Sequence, residues 1–199
     1  WRETAVLFDQ SHHMAEIAVK GPDALKLLSH LTINTFSNFA PDKAKQMVPC
    51  SHDGFVIGDG ILFYLAADEL LFVGRAPAVN WIQFHGETGG YRVDLVRDDR
   101  SPSHPRGKAV VRRQYRFQVQ GPNAAKILNK INGGPIPDVK FFNMDVVKIG
   151  GRKVRSLEAQ GLLKSPRIKA ALLKVRREDF IPREYRDHAY EEVPLPLPG

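Results

Sequence analysis

The chain has 199 residues, one cysteine, and 29 Lys and Arg against 22 Asp and Glu for a net charge of +7; that is enough chain for one or two domains with a sizeable core. Cys50 alone excludes an internal disulfide and a cysteine-built zinc site, and a reducing, cytoplasmic setting is the simplest expectation. No run approaches the roughly 20 consecutive apolar residues of a membrane helix and no leader pattern stands at the front, so no membrane partner is expected; a chain running from Trp1 to Gly199, inside a proline-rich run, is expected to be a fragment.

Ala5 to Phe8 and Met14 to Val19 read as short strands. Gly21-Pro22-Asp23 then punctuates the chain before a helix from Ala24 to Leu31, with Leu25, Leu28 and Leu31 on one face. Met47 to Ser51, Phe55 to Ala66 and Leu70 to Val73 are β-rich runs separated by His52-Asp53-Gly54 and Ala67-Asp68-Glu69, the pattern of an antiparallel meander. A second helix is predicted from Pro77 to about His85, stopped by Gly86 and Gly89-Gly90, and Tyr91 to Val96 returns as a strand.

An internal echo follows. Val19-Lys20-Gly21-Pro22-Asp23-Ala24-Leu25 reappears as Val119-Gln120-Gly121-Pro122-Asn123-Ala124-Ala125, so one strand-turn-helix unit is used twice. That predicts an α+β domain with antiparallel sheets and two pseudo-equivalent helices. Strands with glycine hairpins continue through Val146 to Val154. Beyond about Leu157 the texture becomes helical, with a helix start at Ser165-Pro166, and ends in Val193-Pro194-Leu195-Pro196-Leu197-Pro198; the predicted domains are 1–156 and a tail, 157–199.

The densest basic stretch, Arg97 to Arg116, centres on Ser101-Pro102-Ser103-His104-Pro105-Arg106-Gly107-Lys108 and reads as an exposed loop. No aromatic ladder interleaves its charges, so no nucleic-acid partner is expected; a solvated loop or an anion-steering rim fits. His12 and His13 on a strand would point to opposite faces and cannot chelate one metal. If Gln10 and His13 flank a bend, both reach a cleft where His13 can hydrogen-bond a phenol or carboxylate; otherwise His13 is structural. Gly58-Asp59-Gly60 is no dinucleotide fingerprint, because a strand follows where a helix is required. Asp59 is either an acceptor for a ring nitrogen, with glycines allowing close approach, or the exposed residue of a bulge. Arg75, between a strand end and a helix start, suits a carboxylate or is a surface arginine. Of Gln118 and Gln120, one is expected to face inward. A Ser-His-Asp triad, a P-loop and a zincin motif are all absent from the sequence.

Ala5-Val6-Leu7-Phe8-Asp9-Gln10-Ser11-His12-His13-Met14, Val56-Ile57-Gly58-Asp59-Gly60-Ile61, Val73-Gly74-Arg75-Ala76-Pro77, Asp98-Asp99-Arg100-Ser101 and Phe117-Gln118-Val119-Gln120-Gly121-Pro122 together resemble the tetrahydrofolate-dependent aryl-methyl-ether O-demethylases of the vanillate/3-O-methylgallate type, in the superfamily of the aminomethyltransferase T-protein. The resemblance covers Trp1 to about Leu157. It implies the folate-binding-like α+β fold, tetrahydrofolate as cofactor, and methyl transfer from a methoxylated aromatic acid of the vanillate, 3-O-methylgallate or syringate class. It further implies that Gln10, His13 and Gln118 line the substrate site, that Arg75 holds the carboxylate, and that Asp59 faces the folate. The family's tyrosine acid lies beyond the matched stretch, so the chain is expected to lack a catalytic group and to be inactive alone; a folate-binding module without turnover is the alternative. Leu157-Glu158-Ala159-Gln160-Gly161-Leu162-Leu163, Val175-Arg176-Arg177-Glu178-Asp179-Phe180-Ile181-Pro182 and Tyr185-Arg186-Asp187-His188-Ala189-Tyr190 are similar to the N-terminal segment of protein-L-isoaspartate O-methyltransferase. Judged by this tail the chain is alternatively a fragment of that methyltransferase, but the resemblance stops before the family's S-adenosylmethionine loop, and two half-matches meeting near Leu157 suggest a chimera.

Overall fold

The computed structural model describes residues 3–101, 110–149 and 151–157. The chain divides at Glu158, and everything below concerns the first unit. The predicted tail helix and the centre of the basic loop lie outside the described residues.

A five-stranded antiparallel sheet has the order β3-β4-β5-β2-β6, from β2 (Ala15–Lys20), β3 (Ala44–Met47), β4 (Gly60–Ala66), β5 (Glu69–Gly74) and β6 (Asp94–Asp98). Strand β2 is an interior strand, paired on one side with β5 (Ala15 opposite Gly74) and on the other with β6 (Glu16 opposite Asp98). The helices α1 (Ala24–His30) and α2 (Ala76–Thr88) pack on it. Ile17, Val19, Leu27, Leu28, Leu62, Leu70, Phe72, Val79 and Ile82 are removed from solvent between sheet and helices. Gly86 lets α2 approach closely, since a Cβ there would lie 2.6 Å from Leu95 Cδ1. The predicted meander is present, but it starts at Ala44, and the stretch before Gly60 is not strand: Phe55 is 73% exposed and Gly54 turns at φ +84°.

The echo is a geometric repeat. Gly21 and Gly121 adopt φ +130° and +126°; Ala24 N–H donates to Gly21 O and Ala124 N–H to Gly121 O, both at 3.0 Å. The second copy joins β7 (Phe117–Gln120) to α3 (Ala124–Asn132). Strand β7 pairs antiparallel with β1 (Val6–Asp9), with Phe8 opposite Gln118. The hairpin of β8 (Met144–Ile149) and β9 (Arg152–Leu157) is tied to β3 through Ala44 N–H to Phe142 O and Met144 N–H to Asp42 O, each 2.7 Å. A methyl at Gly21 would sit 2.4 Å from Arg92 O. Gly21→Ala therefore combines a left-handed backbone penalty of about 1–3 kcal/mol with a backbone clash. Chemical denaturation of Gly21→Ala is expected to show a loss of at least about 1–3 kcal/mol, and an unchanged midpoint would contradict the close approach of Gly21 to Arg92.

On α2, the His85 ring packs edge-on to Trp81 with centroids 4.4 Å apart, and His52 stands 5.8 Å from His85. Burial, reinforced by His52 and His30, holds the His85 imidazole below its ordinary range. A depressed histidine pKa means the unfolded chain binds the proton more readily. The associated stability is present above about pH 6.5 and is lost as the pH falls through the folded value. Urea midpoints between pH 7.5 and 5.5 should fall in the wild type and flatten in His85→Phe.

Candidate functional site

Four of the five predicted site residues, Gln10, His13, Asp59 and Arg75, belong to segments at one end of the five-stranded sheet, and Gln118 stands on β7 of the separate two-stranded sheet. Strand β2 enters the sheet where β5 leaves it, so the β1–β2 connection, carrying Gln10 and His13, lies at the same sheet end as Arg75, which follows Gly74. Gly60 pairs with Gly74, which brings Asp59, one residue earlier, to that end as well. The Gly60/Gly74 pair is required by packing: a Cβ at Gly60 would lie 2.5 Å from Phe72 Cζ, and one at Gly74 would lie 2.7 Å from Phe72 Cε1. The close approach these glycines permit is therefore made by a core ring.

Residues 10–14 form a turn, so His12 and His13 do not alternate as they would on a strand, and both line one cleft. Asp9, His12, His13, Arg100 and Ser101 line an open surface cleft of about 320 Å³, and of the predicted site residues His13 alone borders it. His12 Nδ1 and Ser101 Oγ are joined by a 3.0 Å hydrogen bond. Gln10 Nε2 donates to Gln118 Oε1 at 3.4 Å, although 108 positions separate them. Gln118 Nε2 in turn donates to Gln120 Oε1 at 3.1 Å. Both glutamines of β7 thus share a face, as residues two apart on a strand must, which corrects the expectation that only one faces inward.

Arg75 is the N-cap residue of α2, in extended conformation (φ −86°, ψ 156°), with a proline in the first helical turn. Its side chain is exposed, and no hydrogen bond joins it to Gln10, His13 or Gln118. Asp59 is also exposed and accepts a hydrogen bond of 3.4 Å from Gln46 Nε2. An accessible carboxylate engaged by one long hydrogen bond retains acceptor capacity, and that chemistry fits the ring N–H groups of a reduced folate. Among the described residues no three His, Cys, Asp or Glu side chains are grouped to hold a metal.

Beneath the turn lies a charge cluster that local pattern does not disclose. Glu16 and Arg112 are 2% and 3% exposed, so Arg112 belongs to the interior and departs from the predicted solvated rim. Glu16 Oε1 lies 2.8 Å from Arg116 Nη2 and 3.6 Å from Arg112 Nη2, and Arg112 Nη1 lies 3.3 Å from Asp98 Oδ1. Burial pushes the Glu16 carboxyl above its usual range, and the Arg116 and Arg112 guanidiniums offset this only in part. The available signal was Glu16 itself, a carboxylate inside the apolar run Ala15 to Val19 that requires a buried partner.

Comparison with known proteins assigns the family. The family model "GCVT N-terminal domain" matches residues 1–159, and the chain belongs to that family. It is 54% identical over 157 residues to a syringate O-demethylase from Sphingobium sp., covering 79% of this chain and 33% of the relative. It is 31% identical over 168 residues to an aminomethyltransferase from Oceanobacillus iheyensis, covering 81% and 40%. The chain thus spans well under half the length of these relatives. In fold it resembles the crystal structure of glycine cleavage system aminomethyltransferase T from Bartonella henselae, with a TM-score of 0.55, 23% identity, and coverage of 72% of this chain and 36% of that one. A second model, "Protein-L-isoaspartate(D-aspartate) O-methyltransferase (PCMT)", matches residues 152–198.

Proposed function

We propose that Trp1 to about Leu157 is the aromatic-acid-binding part of a tetrahydrofolate-dependent O-demethylase, taking a methoxylated aromatic acid of the syringate or vanillate class. The carrying observation is the 54% identity to a syringate O-demethylase over 157 residues, and the Gln10–Gln118 contact across 108 positions supports it. In this reading Arg75 pairs with the ring carboxylate through two parallel hydrogen bonds. The amides of Gln10 and Gln118 and the imidazole of His13 meet the ring oxygens. Asp59 would hold the folate, and tetrahydrofolate, when bound, supplies the N5 atom that accepts the methyl group. A methoxyl oxygen departs readily only if protonated in a water-poor pocket. The acid for that step is not among the residues carried over, so the 199-residue chain is expected to bind its substrate and not to turn it over.

Titration of syringate by calorimetry tests the reading. Saturable binding that weakens at least tenfold in Arg75→Ala, and hardly at all in Lys153→Gln, is expected. Equal loss in both variants would mean diffuse charge attraction, and measurable methyl transfer to tetrahydrofolate would overturn the expectation of inactivity.

A further inference from the structure

The turn carrying Gln10 and His13 has no sheet ladder across it, yet its carbonyls and amides are held. Arg116 Nη2 donates to Gln10 O at 3.2 Å, and the Arg116 backbone also reaches the same segment: Gln10 N–H donates to Arg116 O at 2.8 Å, and Arg116 N–H donates to Ser11 Oγ at 3.0 Å. Ser11 is itself fully buried, and its Oγ donates to Arg116 O at 3.3 Å. At the far end of the turn Arg112 Nη2 donates to Met14 O at 3.4 Å, and Arg112 Nη1 donates to Asp99 O. Both guanidiniums meet on one carboxylate, since Arg116 Nε also donates to Glu16 Oε1 at 2.9 Å.

From this arrangement we propose that Arg116, fixed by Glu16, is the positioning residue for the Gln10–His13 segment, setting where Gln10 meets Gln118 and where His13 faces the cleft. A guanidinium is the group this role requires, because its planar fork donates at once to a carboxylate and to a carbonyl in fixed directions, whereas an ammonium is a point charge without that geometry. Arg116 touches no substrate in this assignment. It acts through the backbone of Gln10, which leaves the side-chain amide free for Gln118. The inference rests on the aromatic-acid reading for its functional consequence and on geometry alone for its structural one.

Two readouts on the full chain separate those parts. Amide hydrogen exchange is compared in wild type, Arg116→Lys and Arg116→Gln, with Lys20→Gln as a control at an exposed ion pair. Arg116→Lys keeps the charge against buried Glu16 and serves where Arg116→Gln fails to fold. The expected result in Arg116→Lys is at least tenfold faster exchange at Gln10, Ser11 and His13, with Ile17, Val19 and Phe72 unchanged, accompanied by syringate affinity at least tenfold weaker. Exchange that stays at the wild-type rate in the turn, or that rises equally in turn and core, overturns the proposal. Exchange that changes as expected with wild-type affinity retained overturns its functional part. If the wild type does not bind syringate, the aromatic-acid reading fails, and the exchange rates still decide whether Arg116 holds the turn.

Discussion

Phe72→Ala is expected to lower the unfolding free energy by about 3–5 kcal/mol, the usual cost of deleting a fully buried ring, read as a shift in the urea midpoint of the full chain. Phe72 is completely buried, and its ring fills the space that side chains at positions 60 and 74 would otherwise occupy. The cavity therefore opens under the backbone that leads directly into Asp59 and Arg75. The conservative change Phe72→Leu removes less of the ring and should cost less. If Phe72→Ala changed stability by under about 1 kcal/mol, the ring would not be the packed support described here.

Arg112→Met is expected to be comparably damaging, at about 3–5 kcal/mol, because it removes one partner of a buried carboxylate and leaves the carbonyls of Met14 and Asp99 without their donor. Its pH dependence carries a definite sign. The folded state already holds the Glu16 proton more tightly than the unfolded chain does, so the contribution of Glu16 is fully present below the unfolded carboxylate pKa and is lost as the pH rises through the folded value. Removing Arg112 takes away a charge that lowers the folded value, so the window over which this loss occurs extends to higher pH. The deficit in urea midpoint of Arg112→Met relative to wild type should therefore grow as the pH rises from 4 to 8. The double variant Glu16→Gln/Arg112→Met should recover part of the loss, since it no longer buries the Glu16 carboxylate.

What could be read from sequence follows the range over which each signal acts. The strand-turn-helix echo was legible because a glycine with positive φ, a turn and a helix start are local requirements, and Gly21 and Gly121 meet them in the same way. The β4–β5 turn at Ala67-Asp68 was legible for the same reason. Strand β3 was harder: Ala44 and Met47 are its only buried residues, with Lys45 and Gln46 between them, too short a pattern to register. Phe55 and Val56 mislead in the opposite direction, being apolar in composition yet exposed in a loop. The site divides similarly. The candidate residues were raised from local pattern with alternatives open and took their roles only from the resemblance, and the turn that lets His12 and His13 share a cleft was anticipated only as a conditional bend. The Glu16–Arg112–Arg116 cluster escaped because its charges cancel only after the chain has brought β2 and the approach to β7 together, across about a hundred positions.

The central proposal is that Gln10, His13, Asp59, Arg75 and Gln118 serve one site. Chemical-shift mapping by two-dimensional NMR during a titration with syringate tests it most directly. The account predicts saturable shifts concentrated at Gln10 to His13, Arg75 and Gln118, with further shifts at Asp59 when tetrahydrofolate is added. Shifts concentrated instead around the groove between α3 and β8, at Asn129, Ile136 and Val147, with the turn and Arg75 unmoved, would contradict it.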